Sequence, residues 1–461
     1  MLTIAAASLR LSFLDSKSLW VDEGMTACRD AWPIKSLLGF ILHREMNQIL
    51  YYLMVHAWTS IAGASVVMLR LPSVLFDIAA VPLIYVLGTE LGDRRAGLIG
   101  ALMLTLNASA IEYAQTARAY AMLVSLTILA AVFFVRSIKH PSRRNLAGYI
   151  MSGGCAVYAH LFAIFALPAQ ALFLLWYRPD WNTAKRVGLS IIAVGVLSLP
   201  AFFFGIRGYH GNIAWVPELS VSSVVSLFGF FSGAFDQSSV GLSLALSAVY
   251  LTGIALAMVR LPRANRAARA FLLCSILVPV GLAIVISFFR AIFLARYLIF
   301  GLPFYVLLAA LGMARLKSGF APAMLLLVSI VSAAQVEAYY RAPGLQDWRG
   351  ATGFIATHSR PSDTWIVYPD SCICLFSYYG SRIPGFYPKA FTRKEGQKNV
   401  NEMVKKLAGI GAGPHPGRVW LTFPVSDQLD LPALHATFPA DQIIDETGFS
   451  GLRVVLFDPV Q

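Results

Sequence analysis

Long runs of apolar residues, separated by short polar loops, occupy most of the chain from Val66 to Val336. A helix needs about 20 predominantly apolar residues to cross a lipid bilayer, and most of these runs approach that length. The loops alternate in charge, because five clusters rich in Lys and Arg are separated by loops with few cations. The clusters lie at residues 94–95, 136–144, 178–186, 260–269 and 315–317. Since cytoplasmic loops carry the excess of Lys and Arg, the pattern predicts an α-helical polytopic membrane protein with about 11 transmembrane helices.

Two parts of this pattern are irregular. The segment from Ala147 to Tyr177 must cross the membrane twice because basic residues flank both ends, which predicts two short helices that turn near His160. The N-terminal run from Met1 to Leu14 is shorter than a full span and is interrupted by Arg10. It lacks the basic region and small-residue cleavage site of a signal peptide. We therefore expect that the first helix is truncated and that the true start of the protein lies upstream of Met1.

The segment from Asp15 to Ser65 is neither a clean span nor a plain loop. It contains two amphipathic stretches, Trp32–His43 and Ile49–Ile61, and the second interleaves aromatic side chains with aliphatic ones. Helices of this kind lie in the membrane interface. The next helix must deliver the first basic cluster to the cytoplasm, so we expect residues 15–65 to form a first periplasmic loop with interfacial helices.

The composition changes after Val336, where acids, bases and turn residues become frequent. Short β-rich runs alternate with helix-like stretches, as in a small α/β domain. The β-rich runs are Thr364–Tyr368, Arg418–Phe423 and Leu452–Phe457, and the helix-like stretches are Trp348–His358 and Glu395–Leu407. We predict a transmembrane domain over residues 1–340 and a periplasmic α/β domain over residues 341–461.

Composition excludes an ordinary soluble enzyme. Of the 461 residues 57% are hydrophobic and only 13% are charged, whereas soluble domains are about 25% charged. The net charge of +13 would suggest nucleic acid as a partner of a soluble protein. Here the basic residues concentrate in a few short loops, so the charge indicates topology and we expect the lipid bilayer, not nucleic acid, as the partner. The five cysteines show neither the paired spacing of a zinc site nor an evident disulfide framework.

Adjacent acids stand out in a chain with few carboxylates. Asp22 and Glu23 follow the N-terminal apolar run in the segment S-L-W-V-D-E-G. Two carboxylates at a membrane surface can provide a general base or hold a divalent cation. The alternative is a solvated loop pair without a chemical role.

Isolated polar residues mark the loops that we assign to the non-cytoplasmic side. These residues are Arg118, His160, Arg290 and Arg296, joined by Glu45 and Asn47 from the first periplasmic loop. Taken singly, an arginine at a helix end often only extends its charge to the membrane surface. Taken together, acids and arginines on one side of the membrane predict a site for an anionic, phosphate-bearing lipid, because the guanidinium fork matches phosphate oxygens.

The order of these motifs resembles the membrane glycosyltransferases with the GT-C fold. It is most similar to the dolichyl-phosphate-mannose:protein mannosyltransferase superfamily (glycosyltransferase family 39-like) and its bacterial RgtA/B/C/D-like and ArnT-like relatives. The resemblance covers nearly the whole chain and is strongest over residues 9–135. It rests on L-R-L-x(8)-W-V-D-E-G, E-M-N-Q-I-L-Y-Y-L-M-V-H-A-W, Y-A-Q-T-A-R-A-Y-A-M and F-L-A-R-Y-L-I-F-G-L-P. The chain departs from relatives in two places, since Thr116 stands where they often have Glu and Gln48 where they often have Pro.

The resemblance implies transfer of a sugar from a polyprenyl-phosphate donor, with inversion, to a lipid, glycan or protein acceptor. The reaction is expected on the periplasmic face of a bacterial inner membrane. Asp22 becomes the base that takes the proton of the acceptor hydroxyl, and Glu23 orients either Asp22 or the acceptor. Arg118 and Arg296 become the phosphate-binding residues, and substrate binding falls to Glu45, Asn47, Tyr120, His160 and Tyr297. No cofactor is expected to be required, and a divalent cation stays open.

Three other classes remain as alternatives. A lipid-linked sugar transporter or flippase would often show internal repeats, and the sequence has no matching halves. An O-antigen polymerase or ligase would carry its catalytic residues in a large late loop, whereas here the acids come first. A non-catalytic scaffold would leave costly membrane-embedded charges without a task.

Overall fold

The computed structural model describes residues 1–43, 45, 47–208, 216–235, 237–260, 265–317, 319–381, 383, 388–390, 418–425 and 443–457. The predicted helix Glu395–Leu407 lies outside these residues. The described part of the chain is mainly helical, as predicted, with a small sheet near the C-terminus.

The helices of the N-terminal half are α1 (Leu2–Leu11), α2 (Val21–Asp30), α3 (Ile34–His43), α4 (Ile49–Ala62), α5 (Val66–Leu91), α6 (Arg94–Thr105), α7 (Ala108–Ala114), α8 (Tyr120–Lys139), α9 (Arg143–Ala159), α10 (Ala166–Tyr177) and α11 (Trp181–Gly208). Those that follow are α12 (Val221–Ser232), α13 (Val240–Arg260), α14 (Arg266–Ser287), α15 (Leu302–Met313), α16 (Phe320–Arg341), α17 (Trp348–His358) and α18 (Ile373–Gly380). In the described part of the chain, 3-10 helices cover Leu161–Phe165, Ala295–Gly301 and Asp370–Cys372.

Within the described residues, seven helices are long and apolar enough to cross a membrane. The count rises to eight if α6 and α7, which meet at a bend of 61°, form one broken span. The multi-pass membrane architecture is therefore confirmed, and the number of 11 crossings stays a prediction. The seven are Val66–Leu91, Tyr120–Lys139, Trp181–Gly205, Val240–Arg260, Arg266–Ser287, Ala295–Met313 and Phe320–Arg341.

Other elements follow the sequence pattern closely. The amphipathic stretches form α3 and α4, as predicted. The segment from Ala147 to Tyr177 contains the short helices α9 and α10, and His160 ends α9. The two irregular parts of the sequence pattern, residues 147–177 and 1–14, thus fold as helices shorter than a full membrane span of about 20 residues.

Two compact units make up the structure. The first contains Met1–Ser12, Pro33–Ala62 and Arg70–Ala342. The second contains Phe13–Trp32, Gly63–Leu69 and Pro343–Gln461. The second unit is therefore discontinuous in sequence and includes N-terminal residues in addition to the C-terminal α/β segment.

Helix α15 is the centre of the first unit, since all of its residues from Leu302 to Met313 are buried. It approaches α13 so closely that a Cβ atom built on Gly312 would lie 1.9 Å from the carbonyl oxygen of Gly253. Small residues at such a crossing let two membrane helices pack backbone to backbone.

A buried ion pair fixes α1 within the first unit. The Arg10 guanidinium donates to the Asp77 carboxylate of α5 and also to the backbone oxygens of Thr105 (3.0 Å) and Leu104 (3.1 Å). The arginine that interrupts the N-terminal apolar run therefore has buried partners, and it does not reach the membrane surface.

The second unit is built on a five-stranded sheet in the order β2-β1-β3-β5-β4. Its strands are β1 (Thr364–Val367), β2 (Lys389–Ala390), β3 (Val419–Pro424), β4 (Ile443–Phe449) and β5 (Leu452–Phe457). Strand β1 runs parallel to β2 and β3, and β5 runs antiparallel to β3 and β4. The predicted runs near β1, β3 and β5 are confirmed, as is helix α17, whereas β2 and β4 were not predicted.

A disulfide bond in the second unit corrects the interpretation of the cysteines. Cys28 at the end of α2 is bonded to Cys374 in α18, across a sequence separation of 346 residues. The sequence spacing showed no framework because the two partners lie at opposite ends of the chain. Among the described residues, the free cysteines are Cys155, Cys274 and Cys372.

Candidate active site

Arg118 lies in the turn between α7 and α8, and it is only 7% exposed. Its Nη1 atom donates to the hydroxyl of Tyr52 at 2.9 Å. That hydroxyl in turn donates to Oε1 of Glu45 at 3.0 Å. The side chain of Arg118 is therefore held inside the first unit by a polar chain, and it is not an arginine that extends to the membrane surface.

The backbone around Arg118 is held by the start of α4 and by α5. The Ser73 hydroxyl donates to the carbonyl oxygen of Arg118 at 3.0 Å. The amide of Ala119 donates to Oε1 of Gln48 at 3.3 Å. Both ends of Arg118, the backbone and the guanidinium, are thus fixed by residues far away in sequence.

Gln48 explains one departure from the GT-C relatives. Its φ angle is 72°, whereas a proline ring fixes φ near −65°. The local backbone at this position is incompatible with proline, and the glutamine side chain supplies the acceptor for Ala119. The residue that differs from the relatives therefore contributes a specific contact to the turn of Arg118.

His160 is fully buried at the turn between the two short helices. Its Nδ1 atom accepts from the amide of Phe162 at 3.3 Å, and its Nε2 atom lies 3.5 Å from Nδ2 of Asn47. Asn47 also accepts from the amide of Leu161 at 3.0 Å through Oδ1. The first periplasmic loop predicted from the sequence is therefore connected to this turn by Asn47.

Aromatic rings surround His160. Ring centroids lie 5.8 Å away for Tyr120, 5.5 Å for Phe162 and 5.4 Å for Tyr297. Burial, followed by the positive charges of Arg118 and Arg296, lowers the pKa of His160 to about 3. His160 lies outside the seven long apolar helices and is neutral at physiological pH. The group therefore contributes hydrogen bonding and ring surface but no charge.

Arg296 occupies the 3-10 helix before α15, next to Tyr297. Its guanidinium carbon lies 5.9 Å from the centroid of the Tyr297 ring, within the range of a cation–π interaction. The Tyr297 ring lies 5.4 Å from that of His160, and the charges of Arg118 and Arg296 both lower the pKa of His160. The two arginines therefore lie near the same histidine although they are far apart in sequence.

Seven of the nine predicted site residues thus lie in one cluster of the first unit: Glu45, Asn47, Arg118, Tyr120, His160, Arg296 and Tyr297. Their roles toward donor or acceptor stay predictions. Sequence reasoning missed Tyr52 and Phe162. The only signal for Tyr52 was the aromatic interleaving of the second amphipathic stretch, which does not distinguish it from the neighbouring Tyr51.

Asp22 and Glu23 belong to the second unit, at the start of α2. Asp22 is half-buried, in the first turn, where a helix favours negative charge. Glu23 is buried, and its Oε2 atom accepts from the amide of Trp20 at 3.4 Å. The two acids therefore differ: Glu23 caps its own helix, and Asp22 is the more accessible carboxylate.

The start of α2 is fixed by residues from the C-terminal segment. The amide of Leu19 donates to the Tyr379 hydroxyl at 2.8 Å, and the amide of Val21 donates to Oε1 of Gln346 at 3.1 Å. Gly24 packs directly on α18, because a Cβ atom built on it would lie 2.2 Å from Cγ of Leu375. In the D-E-G motif, Asp22 is thus the accessible acid, Glu23 caps the helix, and Gly24 allows the close contact with α18.

No group of three or more His, Cys, Asp or Glu residues in the described part of the chain is arranged to hold a metal ion. A divalent cation in the reaction, which the sequence leaves open, stays a prediction.

The family model for dolichyl-phosphate-mannose-protein mannosyltransferase matches residues 48–204. This segment includes Tyr52, Arg118 and His160. A comparison with curated proteins gives no match.

Solved structures share the fold over most or all of the chain. ArnT from Cupriavidus metallidurans in the apo state has a TM-score of 0.64 and 14% identity, covering 100% of this chain and 97% of that chain. ArnT bound to undecaprenyl phosphate, from the same organism, has a TM-score of 0.63 and 13% identity, with 99% and 97% covered. The oligosaccharyltransferase AglB from Archaeoglobus fulgidus, in complex with an inhibitory peptide and a dolichol-phosphate, has a TM-score of 0.53 and 11% identity, with 83% and 62% covered. The chain therefore resembles the dolichyl-phosphate-mannose-protein mannosyltransferase family over residues 48–204, and its architecture is the GT-C fold that it shares with these solved structures.

Proposed function

We propose that the protein is an inverting glycosyltransferase that moves a sugar from a polyprenyl-phosphate donor to the hydroxyl of a lipid, glycan or protein acceptor on the periplasmic face of a bacterial inner membrane. The observation that carries the proposal is the polar and aromatic cluster around His160, whose ring lies 5.8 Å from that of Tyr120 and 5.4 Å from that of Tyr297, close to Arg118 and Arg296 in sequence. Two guanidinium groups at one such cluster suit a phosphate group, because the guanidinium fork binds its oxygens in pairs.

In the proposed reaction, an acceptor oxygen attacks the anomeric carbon from the face opposite the phosphate. The bond between the anomeric carbon and the phosphate oxygen breaks, and the polyprenyl phosphate leaves with the bonding electrons. Arg118 and Arg296 stabilise the negative charge that grows on this leaving group. Asp22 takes the proton of the acceptor hydroxyl, which a positioned carboxylate can do with a typical gain of about 10²- to 10⁴-fold.

The disulfide between Cys28 and Cys374 supports the periplasmic side for Asp22. Disulfides persist in oxidising compartments such as the bacterial periplasm and are rare in the cytosol. The bond lies near the end of the same helix that has Asp22 in its first turn. The orientation inferred from basic loops and the chemistry of the cysteines therefore point to the same side.

The donor site is tested by binding of undecaprenyl phosphate to the purified protein in detergent. Arg118→Ala should weaken binding by about 10-fold or more, since hydrogen bonds to charged groups contribute about 1.5–3 kcal/mol. Arg118→Lys should recover only part of this loss, because it keeps the charge but not the fork. Binding of Arg118→Lys equal to that of the original protein would instead favour an arginine that supplies charge alone.

The reaction itself is tested in a deletion strain by mass spectrometry of lipids, polysaccharides and glycoproteins. A monosaccharide absent from the deletion strain should return with the original gene but not with Asp22→Asn, although this variant should still bind undecaprenyl phosphate. Asp15→Asn is the matched control, because Asp15 is an exposed acid of the same unit that pairs with Arg349. Full recovery by Asp22→Asn would remove Asp22 from the mechanism.

A further inference from the structure

We infer that Tyr52 and Glu45 form a positioning relay that sets the orientation of the Arg118 guanidinium, so that Glu45 acts on the donor through Tyr52. This inference rests on the proposed function, in which Arg118 binds the donor phosphate. It assigns Tyr52 a role and replaces direct substrate binding as the role of Glu45.

The direction of the hydrogen bonds in the relay is set by chemistry. A carboxylate only accepts hydrogen bonds and a guanidinium only donates them. The Tyr52 hydroxyl therefore donates its proton to Glu45 at 3.0 Å and accepts from Nη1 of Arg118 at 2.9 Å. Such a chain runs in one direction, and the charges at its two ends polarise and strengthen it.

Tyr52 is a rigid intermediate in this chain. Its ring is 2% exposed and packs in an apolar cluster with Leu37, Ile41 and Ala201. The Arg118 guanidinium carbon also lies 6.0 Å from the centroid of this ring. A ring held on all sides places its hydroxyl at a defined point, and that point fixes one corner of the guanidinium plane.

A fixed plane matters because two-pronged binding of phosphate depends on it. An arginine carries five N–H donors in a rigid fork, and one of them goes to Tyr52. With the Arg118 backbone already held by Ser73, the relay restricts the orientation of the side chain. Pre-orientation of this kind lowers the entropy lost when a ligand is ordered.

The experiment measures the dissociation constant of undecaprenyl phosphate for purified variants in detergent. Tyr52→Phe should weaken binding by about 10-fold, the loss of one hydrogen bond to a charged group. Glu45→Ala should give a similar loss, and the double variant should be no weaker than either single one, since both changes break the same chain. Glu45→Gln keeps an acceptor oxygen and should stay within about 3-fold of the original protein.

Two further variants separate positioning from general damage to the structure. Tyr158→Phe is the matched control: Tyr158 packs against the same apolar cluster, and its hydroxyl donates to Leu197, not to Arg118. It should bind like the original protein. In an Arg118→Lys background, Tyr52→Phe should cause no further loss, because no guanidinium plane remains to be oriented.

The outcomes distinguish this inference from the proposed function. If Arg118→Ala binds undecaprenyl phosphate as tightly as the original protein, the proposed donor site fails and the relay fails with it. If Arg118→Ala weakens binding but Tyr52→Phe does not, only the relay is overturned. Losses that multiply in the Tyr52→Phe, Glu45→Ala double variant would also overturn the relay and return Glu45 to direct contact with the ligand.

Discussion

Replacement of Asp77 by Leu is expected to destabilise the first unit strongly. Arg10 and Asp77 are 0% and 1% exposed, so the change leaves a buried guanidinium without its counter-charge. Removing one partner of a buried ion pair costs about 3–5 kcal/mol. The two carbonyl oxygens that also accept from Arg10 do not replace the lost negative charge.

The double variant Arg10→Met, Asp77→Leu should be more stable than Asp77→Leu alone. Both charges are then absent. The Leu104 carbonyl oxygen still accepts from the amide of Asn107 at 3.3 Å, so the remaining cost is that of the Thr105 carbonyl oxygen, about 1–3 kcal/mol for an unsatisfied buried group. We therefore expect the second substitution to restore about 2 kcal/mol, as the difference between these two costs.

Thermal unfolding of the purified variants in detergent measures these effects. At about 2 °C per kcal/mol, as for domains of a few hundred residues, Asp77→Leu should lower Tm by about 6–10 °C. Glu337→Gln serves as control because its ion pair with Arg341 is exposed, and such pairs contribute about 1 kcal/mol or less. A Tm of Asp77→Leu within about 1 °C of the original protein, or a double variant less stable than Asp77→Leu, would refute the reasoning.

Three further predictions concern other parts of the molecule. Cys374→Ser should destabilise the second unit by about 2–5 kcal/mol, as measured by thermal unfolding with and without reductant. The reductant should lower the Tm of the original protein but not that of this variant, and an equal shift in both proteins would contradict a stabilising role of the disulfide bond. Gly24→Ala should cost about 1–3 kcal/mol because its Cβ would overlap the Leu375 side chain, whereas unchanged stability in the same assay would show that this side chain moves aside without cost. Burial holds His160 neutral with a pKa of about 3, so the unfolded chain binds an extra proton between about pH 6.5 and pH 3, and stability should fall as the pH is lowered through this window, by at most about 1.4 kcal/mol per unit. His160→Gln should make this fall less steep, and an identical pH dependence of Tm in both proteins would show that His160 does not contribute to it.

Much of the membrane architecture was predictable because the bilayer imposes it. A span must be apolar over its whole length, so helices such as Tyr120–Lys139 are visible in the sequence. Helix α17 and strands β1, β3 and β5 were also predictable from composition and periodicity. Strand β4 was missed because its segment contains Asp445 and Glu446, and charged side chains are typical of edge strands but weaken the β pattern.

The polar contacts inside the units were not predictable, because each joins residues that are distant in sequence. Asp77 is one acid within a long apolar run, and nothing local shows that its partner is Arg10, 67 residues earlier. Tyr52 looks like one of several interfacial aromatics until Arg118 is placed beside it. The disulfide partners could not be chosen from five cysteines, since spacing alone does not determine connectivity.

The discontinuous second unit has a consequence for the biosynthesis of the protein. The ribosome makes residues 13–32 long before residues 343–461. Helix α2, with Asp22, must therefore wait for its partners in the second unit while residues 70–342 of the first unit are synthesised. Cys28 likewise stays a thiol until Cys374 has been synthesised. A nascent chain that stalls between these two segments would carry helices of the first unit but no assembled second unit.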